Sequence, residues 1–268
     1  MRWGQFSEEP YISSALPYPF NLRPIHPTIA AVDEAREIEP VETPTAKPAE
    51  GLPAHFVLRR LHSISGIVPL GIYAVWHLII GAAAMSGRPA YDAVYSFVNR
   101  IPLLVPLEII FIIIPLGFHA IYGIAITLRG RSNPFTYPYT DNWRYALQRL
   151  TGYYIALFII LHLYFIWGHA RFTAAGGVAF ASSAYDFVQA HLKDPSFMVI
   201  YTLGVTAVAF HIANGLWRFC MTWGIALSDR ARRIAGWIAA IFFLVLMFIG
   251  IGAVQAFYAG HPVWPYPH

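Results

Sequence analysis

The chain has little charge. Charged residues make up 12% of its 268 residues, against about 25% in a soluble globular protein. With mean hydropathy at +0.51, this shortage excludes a disordered chain, a nucleic-acid module and almost any soluble enzyme of this length. Cysteine is nearly absent. The single Cys220 excludes an internal disulfide framework and any cysteine-only metal site. Acidic residues are scarce outside the first 50 positions, which hold eight acidic and four basic residues. The other 218 hold six and fourteen. The sequence pI near 9.2 therefore describes an acidic arm on a basic, apolar body. It does not describe a nucleic-acid-binding face.

What is present is proline at one end and long apolar runs after it. Residues 1–50 carry Pro10, Pro17, Pro19, Pro24, Pro27, Pro40, Pro44 and Pro48 and no long apolar stretch. They read as a proline-rich N-terminal arm. Residues 51–260 contain five apolar runs, roughly 56–84, 102–128, 143–167, 197–222 and 233–258. Each reaches the ~20 residues that cross a bilayer. Unpaired backbone is not tolerated in lipid, so the runs predict an all-α bundle of five transmembrane helices. Pro69, Pro106 and Pro115 lie inside spans and predict kinks.

Loop arginines set the orientation. Arg59, Arg60, Arg129, Arg131, Arg144, Arg230, Arg232 and Arg233 fall on one side, and Arg88, Arg100, Arg171 and Lys193 on the other. Basic loops stay inside. The N-terminus is expected to be cytoplasmic, and residues 261–268 a short external tail bearing Trp264 and Tyr266.

The surplus is histidine, eleven in all. An ionisable residue inside a span is a functional candidate. His77, His119, His162 and His211 sit inside four different spans. Counting at 1.5 Å per residue puts His77 and His162 in the outer half and His119 and His211 in the inner half, in layers roughly 15 Å apart. Two imidazoles facing across a bundle core can clamp one haem iron from both sides. Such a haem has no open position and carries electrons. The expected ligands are His77 and His162 for an outer haem, and His119 and His211 for an inner one, in a bundle formed by the first four spans. His26, His55, His169, His191, His261 and His268 lie outside the spans or at their ends and are assigned no cofactor role.

Glycines support the layering. Gly123 and Gly215 each follow a histidine by four residues on one helix face, and Gly66 lies near the His77 face at inner depth. Arg60, His62, Ser63, Gln148, Arg149 and Thr151 cluster at the inner ends of the first and third spans. They are candidates for haem propionates or a quinone carbonyl, with interfacial snorkelling as the bland alternative. Glu108, the only carboxylate plainly inside a span, is expected beside the outer layer. A buried carboxylate there can exchange protons or bind quinone.

Several stretches together carry a family resemblance. They are Arg59-Arg60-Leu61-His62-Ser63 with Gly66 and His77, and Pro106-Leu107-Glu108 through His119-Ala120-Ile121-Tyr122-Gly123. Two more are Leu147-Gln148-Arg149-Leu150-Thr151-Gly152 through His162, and Phe210-His211-Ile212-Ala213-Asn214-Gly215-Leu216-Trp217. Over about residues 55–255 the chain resembles the type-B cytochrome b558 anchor of succinate dehydrogenase and fumarate reductase. The resemblance implies two haem b groups, with His77 paired to His162 and His119 to His211. It implies a quinone substrate, expected to be menaquinone, in the cytoplasmic membrane of a prokaryote. It also implies docking to a flavoprotein and an iron–sulfur subunit that hold the FAD, the clusters and the dicarboxylate site. This chain has no flavin motif and no cluster cysteines, so it is an enzyme subunit without the succinate chemistry. Lipid is a partner, nucleic acid is not, and a higher oligomer of the complex stays open. Some fumarate-reducing relatives carry a carboxylate two residues before the fourth ligand; here that position is Ala209. The fumarate direction remains an alternative. A rival of another class is a proton-coupled transporter without haem, separable by its lack of a b-type absorbance band.

Overall fold

A computed structural model describes residues 53–168 and 184–263. The expectations for residues 1–50, His169, Arg171 and residues 264–268 lie outside the described residues. Among the described residues every regular element is helical.

Five segments are long and apolar enough to cross a membrane: Ala54–Ser86, Leu104–Arg129, Thr140–Gly168, Pro195–Thr222 and Asp229–Ala259. Each begins or ends within four residues of its apolar run, because polar caps lie just beyond the hydropathy signal. The Asp194 carboxylate accepts from the Ser196 N–H at 2.7 Å at the start of the fourth span. The Ser228 hydroxyl accepts from the Ala231 N–H at the start of the fifth. Such caps satisfy donors that the helix itself leaves unpaired.

The first two spans are interrupted at their prolines. The first is a helix Ala54–Ile67 that restarts at Pro69 as Pro69–Ala82. Proline offers no N–H to the preceding turn. The second passes from Leu104–Glu108 through a π-helical turn, Ile109–Ile113, into Ile114–Arg129 with Pro115 in its first turn. The third is α-helical to His162 and widens into a second π turn, Leu163–Gly168. One π turn thus starts directly after Glu108 and the other directly after His162. Such turns re-aim side chains and are frequent at functional positions.

The fourth span lies between the third and the fifth and also meets Ala54–Ile67. Its buried positions are mostly small: Gly204, Val205, Ala207, Ala209 and Ala213. Small residues let helices approach where no hydrophobic force drives them together. A Cβ at Gly204 would meet the Phe158 ring at 2.6 Å. Large apolar side chains such as Ile72, Trp76, Ile79, Leu157, Ile160, Ile241, Leu244 and Phe248 are exposed. In water that surface would be a liability; around a bundle it is the face for lipid.

Two short helices outside the spans, Arg88–Asn99 and Ala184–Leu192, close one end of the bundle. Tyr91, Tyr185, Leu192 and Phe257 form their core with Ala84, Ala184 and Ala256. Arg88 pairs with Asp186 at 2.5 Å and with Asp92 at 3.4 Å. Asp92 also accepts from the Tyr185 N–H at 3.0 Å. Burial, helped by Tyr95 and Asp92, pushes the Tyr91 phenol above its usual range. The apolar runs gave no sign of these helices, since they are amphipathic rather than apolar throughout.

Candidate functional site

The four intramembrane histidines meet in two pairs. The rings of His77 and His162 lie 5.6 Å apart between centroids at an interplanar angle of 78°. Those of His119 and His211 lie 6.3 Å apart at 80°. Two imidazoles bound to one metal from opposite sides, with metal–nitrogen bonds of about 2 Å, hold their centroids about 6 Å apart.

The surroundings decide which ring nitrogen is available. The His119 Nδ1 faces the His62 carbonyl at 3.1 Å. A carbonyl only accepts, so Nδ1 carries the proton and Nε2 keeps its lone pair. The Ser65 hydroxyl donates to the same carbonyl at 2.9 Å and lies 3.3 Å from Nδ1. The His211 Nδ1 lies 3.3 Å from the Thr151 hydroxyl, whose proton is directed to the Leu147 carbonyl at 2.7 Å. Thr151 therefore accepts from His211, and again Nε2 is left as the ligand atom. In the other pair, the His162 Nδ1 lies 3.2 Å from the Tyr201 hydroxyl. Tyr73 stacks on His77 and Phe158 on His162. Partners on the far nitrogen fix the tautomer and ring orientation of metal-binding histidines.

Glycines leave the rings their room. A Cβ at Gly66 would run into the Cε1 of His119, and one at Gly152 would come within 3.3 Å of the Cε1 of His211. One at Gly123 would come within 2.9 Å of His62. His62 stacks on His119 at 4.1 Å and 11°, and its Nδ1 is buried without a hydrogen-bond partner. Glycine cradles, bare Nε2 atoms and opposed rings are a donor set that fits a low-spin haem with two histidine ligands.

The six inner-end candidates do not form one cluster. Arg60 donates to the Thr222 carbonyl at 2.6 Å and packs its guanidinium on Trp223, while Ser63 accepts from the Trp223 indole at 3.2 Å. Both tie the first span to the end of the fourth. Arg149 donates to the carbonyls of Thr127 and Gly130, closing the end of the second span, and its Nη1 is buried without a partner. A cation there suits the negative end of a helix. Gln148 donates to the His211 carbonyl at 3.2 Å and accepts from Asn214 at 2.7 Å. Glu108 accepts from the Trp167 indole at 2.9 Å, so the two π turns meet at this carboxylate.

Sequence reading missed Ser65, Tyr201, Trp167, Arg144 and Asn214. A signal existed for some of them. Asn214 follows His211 by three residues, and an uncharged amide in an apolar run needs a partner.

The succinate dehydrogenase/fumarate reductase transmembrane-subunit family model matches residues 133–248. The chain is also 36% identical over 202 residues to the succinate dehydrogenase cytochrome b558 subunit of Bacillus subtilis (strain 168), covering 75% of this chain and 96% of that one. The chain belongs to the family of succinate dehydrogenase and fumarate reductase membrane anchors. It is a transmembrane cytochrome b of the b558 type and part of an enzyme complex. In this cytochrome b the third and fourth spans, which the family model covers, carry His162 and His211 with Thr151 and Tyr201 beside them.

Proposed function

We propose that this cytochrome b carries two haem b groups and passes electrons from an iron–sulfur subunit to a membrane quinone. His77 and His162 hold the outer haem iron; His119 and His211 hold the inner one. The N-terminus lies on the cytoplasmic side, where a flavoprotein and the iron–sulfur subunit dock, in the cytoplasmic membrane of a prokaryote. Residues 1–50 form the arm, 51–260 the cytochrome domain and 261–268 the external tail. Electrons run from succinate towards quinone. The observation that carries this reading is the two opposed ring pairs, with the inner pair's Nδ1 atoms engaged and its Nε2 atoms bare.

Haem b, when bound, supplies one-electron transfer without exchanging ligands. The chain supplies the rest. Ser65 and the His62 carbonyl hold the His119 proton at Nδ1, and Thr151 does the same for His211. Tyr201 orients His162. The spans keep water from the rings, which strengthens each of these contacts. Glu108, held by Trp167, stores or passes a proton at the outer layer, where quinone chemistry requires one. Arg60, His62, Ser63, Gln148 and Arg149 line the inner ends, where haem propionates or a quinone carbonyl would be met. Of these, Arg149 offers its unpartnered Nη1.

A reduced-minus-oxidised spectrum of the purified complex, with a haem-to-chain ratio, tests the reading. Two b haems per chain are expected. His211→Ala should lose the inner haem and keep the outer one. Absence of a b-type band, or a His211→Ala variant retaining both haems, would reject it.

A further inference from the structure

Between the third and fourth spans lies a line of polar contacts that ends on His211. Arg144, Gln148 and Thr151 are spaced four and three residues apart, and His211, Asn214 and Trp217 three apart. Each set therefore forms one helix face. The faces interlock. The Arg144 Nε donates to the Asn214 Oδ1 at 2.8 Å, and its guanidinium lies 3.5 Å over the Trp217 ring. The Asn214 Nδ2 donates to the Gln148 Oε1 at 2.7 Å and to the Arg144 carbonyl at 3.3 Å. The Gln148 Nε2 then reaches the His211 carbonyl at 3.2 Å, and Thr151 accepts from the His211 ring. Asn214 is 3% exposed, and both its amide oxygen and nitrogen are engaged.

We infer that Asn214 and Gln148 are positioning residues that set the angle of the His211 imidazole, and through it the electronic state of the inner haem alone. This rests on His211 being an inner-haem ligand, as proposed above. The physical reason is the medium. In a lipid-embedded bundle a severed polar contact cannot be replaced by water, so the network holds one rotational setting of the fourth span against the third. The plane of the His211 ring stands at 80° to that of His119, and a small turn of the helix changes this angle directly. His77 and His162 share none of these contacts and stand outside the device. Backing the ring is Gly152, where any side chain would press on the His211 Cε1. His211 is thus gripped at its backbone carbonyl, at its Nδ1 and along one ring edge.

The low-spin electron paramagnetic resonance signal of a bis-histidine haem reports the angle between its two imidazole planes, and redox titration separates the two haems. Asn214→Leu keeps the branched outline of the side chain and removes all three contacts. Gln148→Met cuts the links to the His211 carbonyl and to the Asn214 amide nitrogen, and leaves Arg144 on Asn214. Both are read in the whole complex. The expected result is a shifted signal and potential for the inner haem, larger in Asn214→Leu, with the outer haem unmoved. Asn214→Asp keeps only the acceptor for Arg144 and sets a carboxylate oxygen against the Gln148 Oε1 and the Arg144 carbonyl, so it too should shift the inner haem and leave the outer one unmoved. Inner-haem loss with the outer haem retained also supports the assignment. Wild-type signals from both variants, or equal shifts in both haems, would overturn it. So would loss of all haem from both, since the network would then serve the bundle as a whole. A His211→Ala variant that keeps both haems would instead sink the ligand assignment beneath it.

Discussion

Gly66→Ala should damage the proposed inner haem site with a single methyl group. The added Cβ would run into the Cε1 of His119 and come within 3.0 Å of its Nδ1. The ring has nowhere to go. Its Nδ1 is bound to the His62 carbonyl at 3.1 Å, and its face is stacked on His62 at 4.1 Å. Overpacking of this kind costs about 1–3 kcal/mol, and each polar contact broken by a retreating ring costs about 1 kcal/mol more. Alanine in place of glycine returns about 1 kcal/mol of helix propensity. The net cost of about 1–3 kcal/mol corresponds to inner-haem affinity weaker by about 5- to 140-fold, at 1.4 kcal/mol per factor of ten. Gly117→Ala is the control. It lies on the same helix as His119, and a Cβ there meets nothing within 4 Å, so it should leave haem content unchanged. Haem per chain, from the pyridine haemochromogen spectrum, and a redox titration read both variants. If Gly66→Ala keeps two haems with wild-type potentials, the close approach of this backbone to the His119 ring does not matter to the site.

Tyr201→Phe removes the hydroxyl at 3.2 Å from the His162 Nδ1. Loss of such a partner typically costs about 10- to 100-fold in metal affinity or activity, so the outer haem should bind less tightly or change potential while the inner one does not, as redox titration would read. Glu108→Gln preserves an acceptor for the Trp167 indole and removes the proton-carrying group. Assembly and haem content should be normal and quinone turnover reduced; normal turnover would remove Glu108 from the mechanism. Asp92→Ala leaves the Tyr185 N–H without its acceptor and Arg88 with Asp186 alone. Thermal unfolding of the complex should then shift by about 1–3 kcal/mol, with haem spectra unchanged, because Asp92, Arg88 and Tyr185 make their hydrogen bonds and ring contacts away from the four histidines.

The sequence by itself determined that five helices of membrane length are present, where they lie, and that His77, His119, His162 and His211 fall well inside four of them. These follow from lipid's demand for internally bonded backbone and from a constant helix rise that turns residue counts into depths. Glu108 was legible for the same reason: one carboxylate in a 26-residue apolar span needs no neighbours to be noticed. Tertiary structure decided everything that depends on azimuth and partner. Only in three dimensions does the Thr151 hydroxyl face the His211 Nδ1, or the His62 backbone carbonyl face His119, so only there can the free ring nitrogen be identified. Six polar residues that look alike at the inner ends part company in space: Arg60 and Ser63 to Trp223, Arg149 to the end of the second span, Gln148 to Asn214, His62 to His119 and Thr151 to His211. The two amphipathic helices at the other end were invisible to a search for apolar runs, because what buries Tyr91 and Tyr185 is a neighbour distant in the chain. Depth is a local property of a helix in a bilayer. The facing of one helix toward another is set by pairwise contacts between spans, which a linear reading does not contain.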